Sequence, residues 1–175
     1  NKLWDQIIFQ WSHYPDNKAK LMNDMLAVIG PKMTSITPAL ITFNSRNDSE
    51  IEAKCQNLLR IAHLLMISPS DFHMLYFQPL ISCTCQFLLS AELTLKEKAW
   101  ILLRAMLLKF EEQHFIEYWS MITYCLQTNL QEFCETLQIQ GDVHSGAVFQ
   151  ACKTLDLLLA LNLEGFSSTN EWLFV

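Results

Sequence analysis

Apolar residues recur every three or four positions along nearly the whole chain, and prolines and glycines interrupt that recurrence at a few places, so the pattern divides the sequence into helical segments. The first predicted helix covers about Lys2 to Trp11, with Leu3, Ile7, Ile8 and Trp11 as its stripe, and Pro15 follows it. A second runs from Asp16 to Ile29 on Leu21, Met25, Val28 and Ile29, and Gly30-Pro31 stops it. Residues 31–47 carry two prolines and no period, which predicts an irregular connection. Asp48 or Ser49 then caps a helix to about Ile67, whose Ile51, Cys55, Leu58, Leu59, Ala62, Leu65 and Met66 form one face.

Ser68-Pro69 reads as an N-cap and first-turn proline, with Asp71 placed to favour the helix dipole. Phe72 to Ala91 contains no charged residue and is long enough to test as a membrane span. His73, Gln78, Pro79, Ser82, Thr84, Gln86 and Ser90 interrupt it, which favours a buried helix of a soluble bundle. Pro79 is expected to kink or divide that helix. Thr94-Leu95-Lys96-Glu97 matches a capping box opening a helix to about Phe110. Another helix extends from Glu112 into the 130s on Phe115, Tyr118, Trp119, Ile122, Leu126, Leu130 and Phe133. Gly141 to Gly146 is a turn with Ser145 as cap. The last helix, about Ala147 to Leu163, is apolar enough throughout to predict burial on most sides, and an aromatic tail follows it.

The predicted fold is therefore all-α. Helix pairs starting near residues 49 and 94, about 45 residues apart, match the period of HEAT or armadillo repeats, and a HEAT/armadillo-like solenoid fragment is one architecture; an irregular helical bundle of about seven helices is the other. Either way residues 1–175 form a single domain, with amino-terminal helices and a connection (1–47), a repeat core (48–163) and a carboxy-terminal tail (164–175). Asn1 in place of methionine suggests a fragment of a larger protein.

Composition narrows the function. The 175 residues are 51% hydrophobic with a net charge of -6, which supplies a core and removes the basic footprint of a nucleic-acid binder. The six cysteines fall in helical apolar patterns, as buried reduced thiols do, and Asn47-Asp48-Ser49 is a formal glycosylation sequon read as a polar helix start. Cys83-Thr84-Cys85 lacks the spacing of a redox or zinc hairpin. Gly141 to Gly146 has phosphate-loop spacing, but Ala147-Val148 stand where lysine and a hydroxyl are needed. His114 and Glu117 have the spacing of a di-iron helix without the second copy such a site requires. No cofactor or metal is expected, and no catalytic residue is assigned.

Charge is distributed unevenly. From Phe110 to Cys152 the sequence carries Glu111, Glu112, Glu117, Glu132, Glu135 and Asp142 with no lysine or arginine. Glu111, Glu112 and Glu117 are accordingly candidates for docking a basic partner segment, against ordinary solvation of an outer face. Lys96, Lys98, Arg104 and Lys109 lie on the preceding helix and are the candidates for an anionic lipid headgroup. Trp172 and Phe174, two large aromatics at the end of the chain, are candidate partner-binding residues or pack back on their own bundle.

Ala151-Cys152-Lys153, Leu155-Asp156-Leu157 and the terminal Trp172 and Phe174 resemble the carboxy-terminal region of the Dopey family. Weaker similarity extends through Leu58 to Ala62, Ser68 to Tyr76 and Leu102 to Leu108; Glu171 stands where the family carries a basic residue. The resemblance implies a non-catalytic scaffold, peripheral on Golgi and endosome membranes, that acts with the large Mon-two protein in traffic between endosomes and the trans-Golgi network. Self-association is a further expected mode, and binding of a phosphoinositide or other anionic lipid is the alternative function.

Overall fold

A computed structural model describes residues 2–30, 45–140 and 146–170 of the chain. Among them are eight α-helices and no strand: α1 (Lys2–Ser12), α2 (Pro15–Ile29), α3 (Ser45–Ile67), α4 (Phe77–Leu88), α5 (Leu93–Lys109), α6 (Trp119–Gln140), α7 (Gly146–Leu161) and α8 (Glu164–Asn170). Short 3-10 segments, Met74–Tyr76 and Glu112–Tyr118, lead into α4 and α6. The chain is all-α as its periodicity predicts.

Successive odd-numbered helices pack on one another, α1 on α3, α3 on α5 and α5 on α7, and the even-numbered ones do the same from α2 through α4 and α6 to α8. Two layers of helices stacked in sequence order are the arrangement of a solenoid-like array, in which each unit buries its apolar face only against its neighbours. Helix α5 lies at the middle. It packs against α3, α7 and α4, and Trp100, Leu102, Leu103 and Met106 are fully enclosed.

Several boundaries differ from the sequence expectation for identifiable reasons. Helix α3 begins at Ser45, so Asp48 lies in its first turn, where a carboxylate favours the helix dipole, and is not the cap. Ser68 opens no helix; its hydroxyl donates back to the Leu64 carbonyl of α3 at 2.7 Å. The chain then reverses through Asp71, which adopts a left-handed φ of 56° and donates its amide to the Lys109 carbonyl at 2.9 Å. Helix α4 consequently starts late, at Phe77, and Pro79 falls in its first turn, where a backbone N–H has no intrahelical partner to lose. The 3-10 segment ahead of α4 takes the place of the expected kink. Thr94 and Glu97 form no capping box: α5 starts at Leu93, its N-cap Glu92 makes no side-chain cap bond, and Glu97 pairs with Lys98 at 2.6 Å.

Helix α7 is buried along one stripe only, Ala147, Ala151, Thr154 and Leu158, while Phe149 and Leu159 are exposed, which corrects the expectation of burial on most sides. It ends on Asn162 with a left-handed φ of 48°, and α8 follows where a tail is expected from sequence. Phe166 of α8 packs on Trp119, ring centres 5.8 Å apart. A Cβ on Gly165 would lie 2.5 Å from the Trp119 ring nitrogen, so only glycine allows that approach. The connection 31–44, the turn 141–145 and residues 171–175 lie outside the described residues.

In α4, Gln78, Ser82 and Gln86 face outward, and buried Thr84 donates to the Leu80 carbonyl at 2.7 Å. No helix among the described residues is long and apolar enough to cross a membrane.

The α3–α4 corner buries a histidine. Ser68 has one hydroxyl proton and gives it to Leu64, so Nε2 of His73, 3.0 Å from Ser68 Oγ, is the donor of that pair. Nδ1 is left as a bare buried acceptor with no partner among the described residues. Burial first, and nearby Lys18 second, push the His73 pKa down to about 4. With the folded pKa below the unfolded value of 6.5, the stability due to the neutral ring is fully present above pH 6.5 and is lost as pH falls toward 4. Urea denaturation at pH 7 and pH 4.5 is expected to show a loss about 2 to 3 kcal/mol larger in the native chain than in His73→Gln; equal losses would contradict this assignment.

Candidate interaction surface

The 3-10 segment before α6 is held from beneath by aromatic rings. Phe77 of α4 meets Phe110, Phe115 and Tyr118 edge-on at 5.1, 4.9 and 5.7 Å, and Phe115 stacks on Trp119 at 5.5 Å. With Phe115 and Trp119 turned inward, the alternate positions face solvent. Ile116, Glu117, Met121 and Tyr124 are exposed, and the last three, spaced by four and three residues, share one side of the helix. Glu117 also lines a shallow cavity of about 360 Å3 with Ser82, Gln86, Leu89, Tyr118 and Met121. This face is acidic and apolar at once.

The three candidate glutamates do not act alike. Glu117 is outward and beside that cavity. Glu111 is exposed, accepts from Gln113 Nε2 at 2.7 Å and donates its amide to Asp71 Oδ1 at 3.2 Å. Glu112 is a clamp: its Oε1 accepts the Gly165 amide at 2.7 Å and fastens α8. Trp172 and Phe174 lie outside the described residues.

The four cations proposed for a lipid headgroup form no outward patch. Lys96 is 4% exposed and its Nζ lies 2.5 Å from Glu132 of α6. Arg104 donates to the Gln150 carbonyl at 2.8 Å, to Thr154 Oγ1 at 3.2 Å and to the Gln150 side chain, which ties α5 to α7. Lys109 donates to the Ser68 carbonyl at 2.7 Å, and Lys98 pairs with Glu97. Lys96, Arg104 and Lys109 are thus engaged by neighbouring elements, whereas Lys98 pairs only with the adjacent residue of its own helix and stays partly exposed.

The cysteines are all free. Cys55, Cys83, Cys85 and Cys125 are buried as predicted, whereas Cys134 and Cys152 are exposed. Burial pushes the Cys55 and Cys83 thiols up; Cys125 rises well above its usual range through its hydrogen bond with Cys85 and burial, while that bond lowers Cys85. His114 sits beside Asp71 at 3.5 Å and against the Phe77 ring, away from the outward Glu117 with which sequence spacing paired it. Asp71, Glu111 and His114 are the described residues whose ligand atoms gather within 4.8 Å.

A second surface is not evident from motif or charge. Helices α1, α2 and α3 enclose a groove of about 450 Å3 lined by Ile8, Trp11, Leu21, Met25, Leu59 and Leu64, with Arg60 and His63 at its edge. Asp5 of α1 meets His63 of α3 at 3.0 Å. The signal in the sequence is the α1 stripe, which resembles a core stripe until its exposure is known.

The sequence profile of the family described as "DOP1 C-terminal" matches residues 1–175, the whole chain. The chain belongs to the DOP1 C-terminal family. It is 59% identical, over all 175 residues, to Protein DOP1 of Saccharomyces cerevisiae, and it spans 10% of the length of that protein. No solved structure matches it. In this DOP1 C-terminal chain the stretch that carries the Dopey resemblance forms α7: Ala151 is fully enclosed, and Cys152, Lys153 and Asp156 face outward.

The ties just described predict a contrast within α6 of this DOP1 C-terminal domain. Glu132→Gln, which removes the charge opposite buried Lys96, is expected to cost about 1 to 3 kcal/mol in urea denaturation, and Glu135→Gln, at an exposed position, less than about 0.5 kcal/mol. Equal effects would show that the Lys96 pair contributes nothing specific.

Proposed function

We propose that this DOP1 C-terminal chain is a non-catalytic scaffold domain in membrane traffic between endosomes and the trans-Golgi network, and that it works peripherally on those membranes by docking protein partners. The observation that carries the reading is the outward face of α6 and its leading 3-10 segment, where Glu117 lies in line with Met121 and Tyr124. No lysine or arginine occurs between Phe110 and Cys152 to offset its charge. Such a face fits a basic amphipathic segment: its cations meet Glu111 and Glu117, and its apolar side covers Met121 and Tyr124. Family membership supports a trafficking role, and the large Mon-two protein is the partner that the Dopey resemblance implies. The internal engagement of Lys96, Arg104 and Lys109 argues against the anionic-lipid alternative.

Pulldown of the Mon-two protein by the purified domain, at low and at high salt, tests this. Glu117→Lys combined with Tyr124→Ala is expected to weaken capture at least tenfold and to reduce its salt dependence. Trp172→Ala with Phe174→Ala, assayed in parallel, measures the share of the chain end. Undiminished capture by both double variants would contradict the proposal, as would phosphoinositide-vesicle binding that replaces protein capture.

A further inference from the structure

Helix α1 stands at one end of the odd-numbered layer, packing on α2 and α3. Its inward side is set by buried Ser12 and by Phe9, whose ring lies 6.2 Å from that of Phe72. The groove wall formed by Ile8 and Trp11 continues around the helix onto Ile7 and Trp4, because residues 4, 7, 8 and 11 share one helical face. Trp4 is 62% exposed, Ile7 47% and Trp11 45%. Two tryptophans and an isoleucine on the outermost helix are the opposite of the polar outer face with which a helical array ends. At the other end α7 also exposes Phe149 and Leu159, but there Lys153 sits over the Phe149 ring at 4.2 Å and Asp156 faces outward.

What covers this face is indicated by the length of the related polypeptide. The chain spans 10% of yeast Protein DOP1, and the matching family profile describes a carboxy-terminal region, so in that relative most of the polypeptide lies ahead of the segment equivalent to α1. We propose that the α1 face and the α1–α2–α3 groove seat an amphipathic helix from the polypeptide immediately preceding residue 1 in the longer protein, which continues the stack by one more unit. The occupant is intramolecular, and its apolar side packs on Trp4, Ile7 and Trp11. Arg60, exposed at the groove edge, is placed to meet an acidic residue on its flank. This inference does not rest on the partner-docking face of α6, which lies on other helices.

Hydrogen exchange of the 175-residue chain and of the full-length protein that contains it tests the proposal. In the full-length protein, amides of residues 4–12 are expected to exchange at least tenfold more slowly than in the 175-residue chain, with those of α5 unchanged. Trp4→Glu with Ile7→Glu, at positions already exposed in the 175-residue chain, is expected to leave its melting unchanged and to abolish the added protection in the full-length protein. Equal exchange in the two proteins would overturn the proposal. Protection that rises with the concentration of the 175-residue chain would also overturn it in favour of a second copy, and protection that requires added vesicles would overturn it in favour of a membrane.

Discussion

Enclosure of α5 is the constraint on which the other helices depend. Trp100, Leu102, Leu103 and Met106 have no exposed surface, and they are covered by three different helices, α3, α4 and α7. A helix that is apolar on so many sides is stable only when those neighbours are in place. Its polar groups are handled at the edges. Lys96 reaches α6, Arg104 reaches α7 and Lys109 reaches the turn after α3, so each cation ties α5 to a different part of the stack. The same arrangement removes three cations from any surface role.

The helical fold was legible from spacing alone, because nearly every element presents an apolar stripe at a period of three to four. The boundaries were less so. Ser68-Pro69 has the chemistry of a helix start, but Asp71 takes a left-handed conformation that turns the chain against Lys109, a tertiary bond with no local signature. Thr94 to Glu97 has capping-box chemistry, yet the helix starts one residue before it and Glu97 pairs with its neighbour Lys98. In α7, apolar residues all round the helix were consistent with burial on every side, and exposure of Phe149 and Leu159 depends on where the neighbours end.

The surfaces were legible to different degrees. Absence of basic residues between Phe110 and Cys152 marks the α6 face in the sequence, whereas the division of labour among Glu111, Glu112 and Glu117 depends on where α8 packs. The α1–α3 groove has no charge or motif to mark it. A buried stripe and an exposed one have the same spacing, and only the packing shows that Trp4 and Ile7 lack cover among the described residues. Stacked layers therefore yield a mixed acidic and apolar flank on one helix and an apolar face at one end, both consequences of each helix burying only what its neighbours reach.

Native-state hydrogen exchange of the 175-residue chain under increasing urea tests the central position of α5 most directly. The amides of residues 99–107 are predicted to exchange only through global unfolding, with the urea dependence of the whole domain, while those of α1 and α8 open at lower free energy. Exchange of α5 through a local opening as easy as that of α1 would contradict the account.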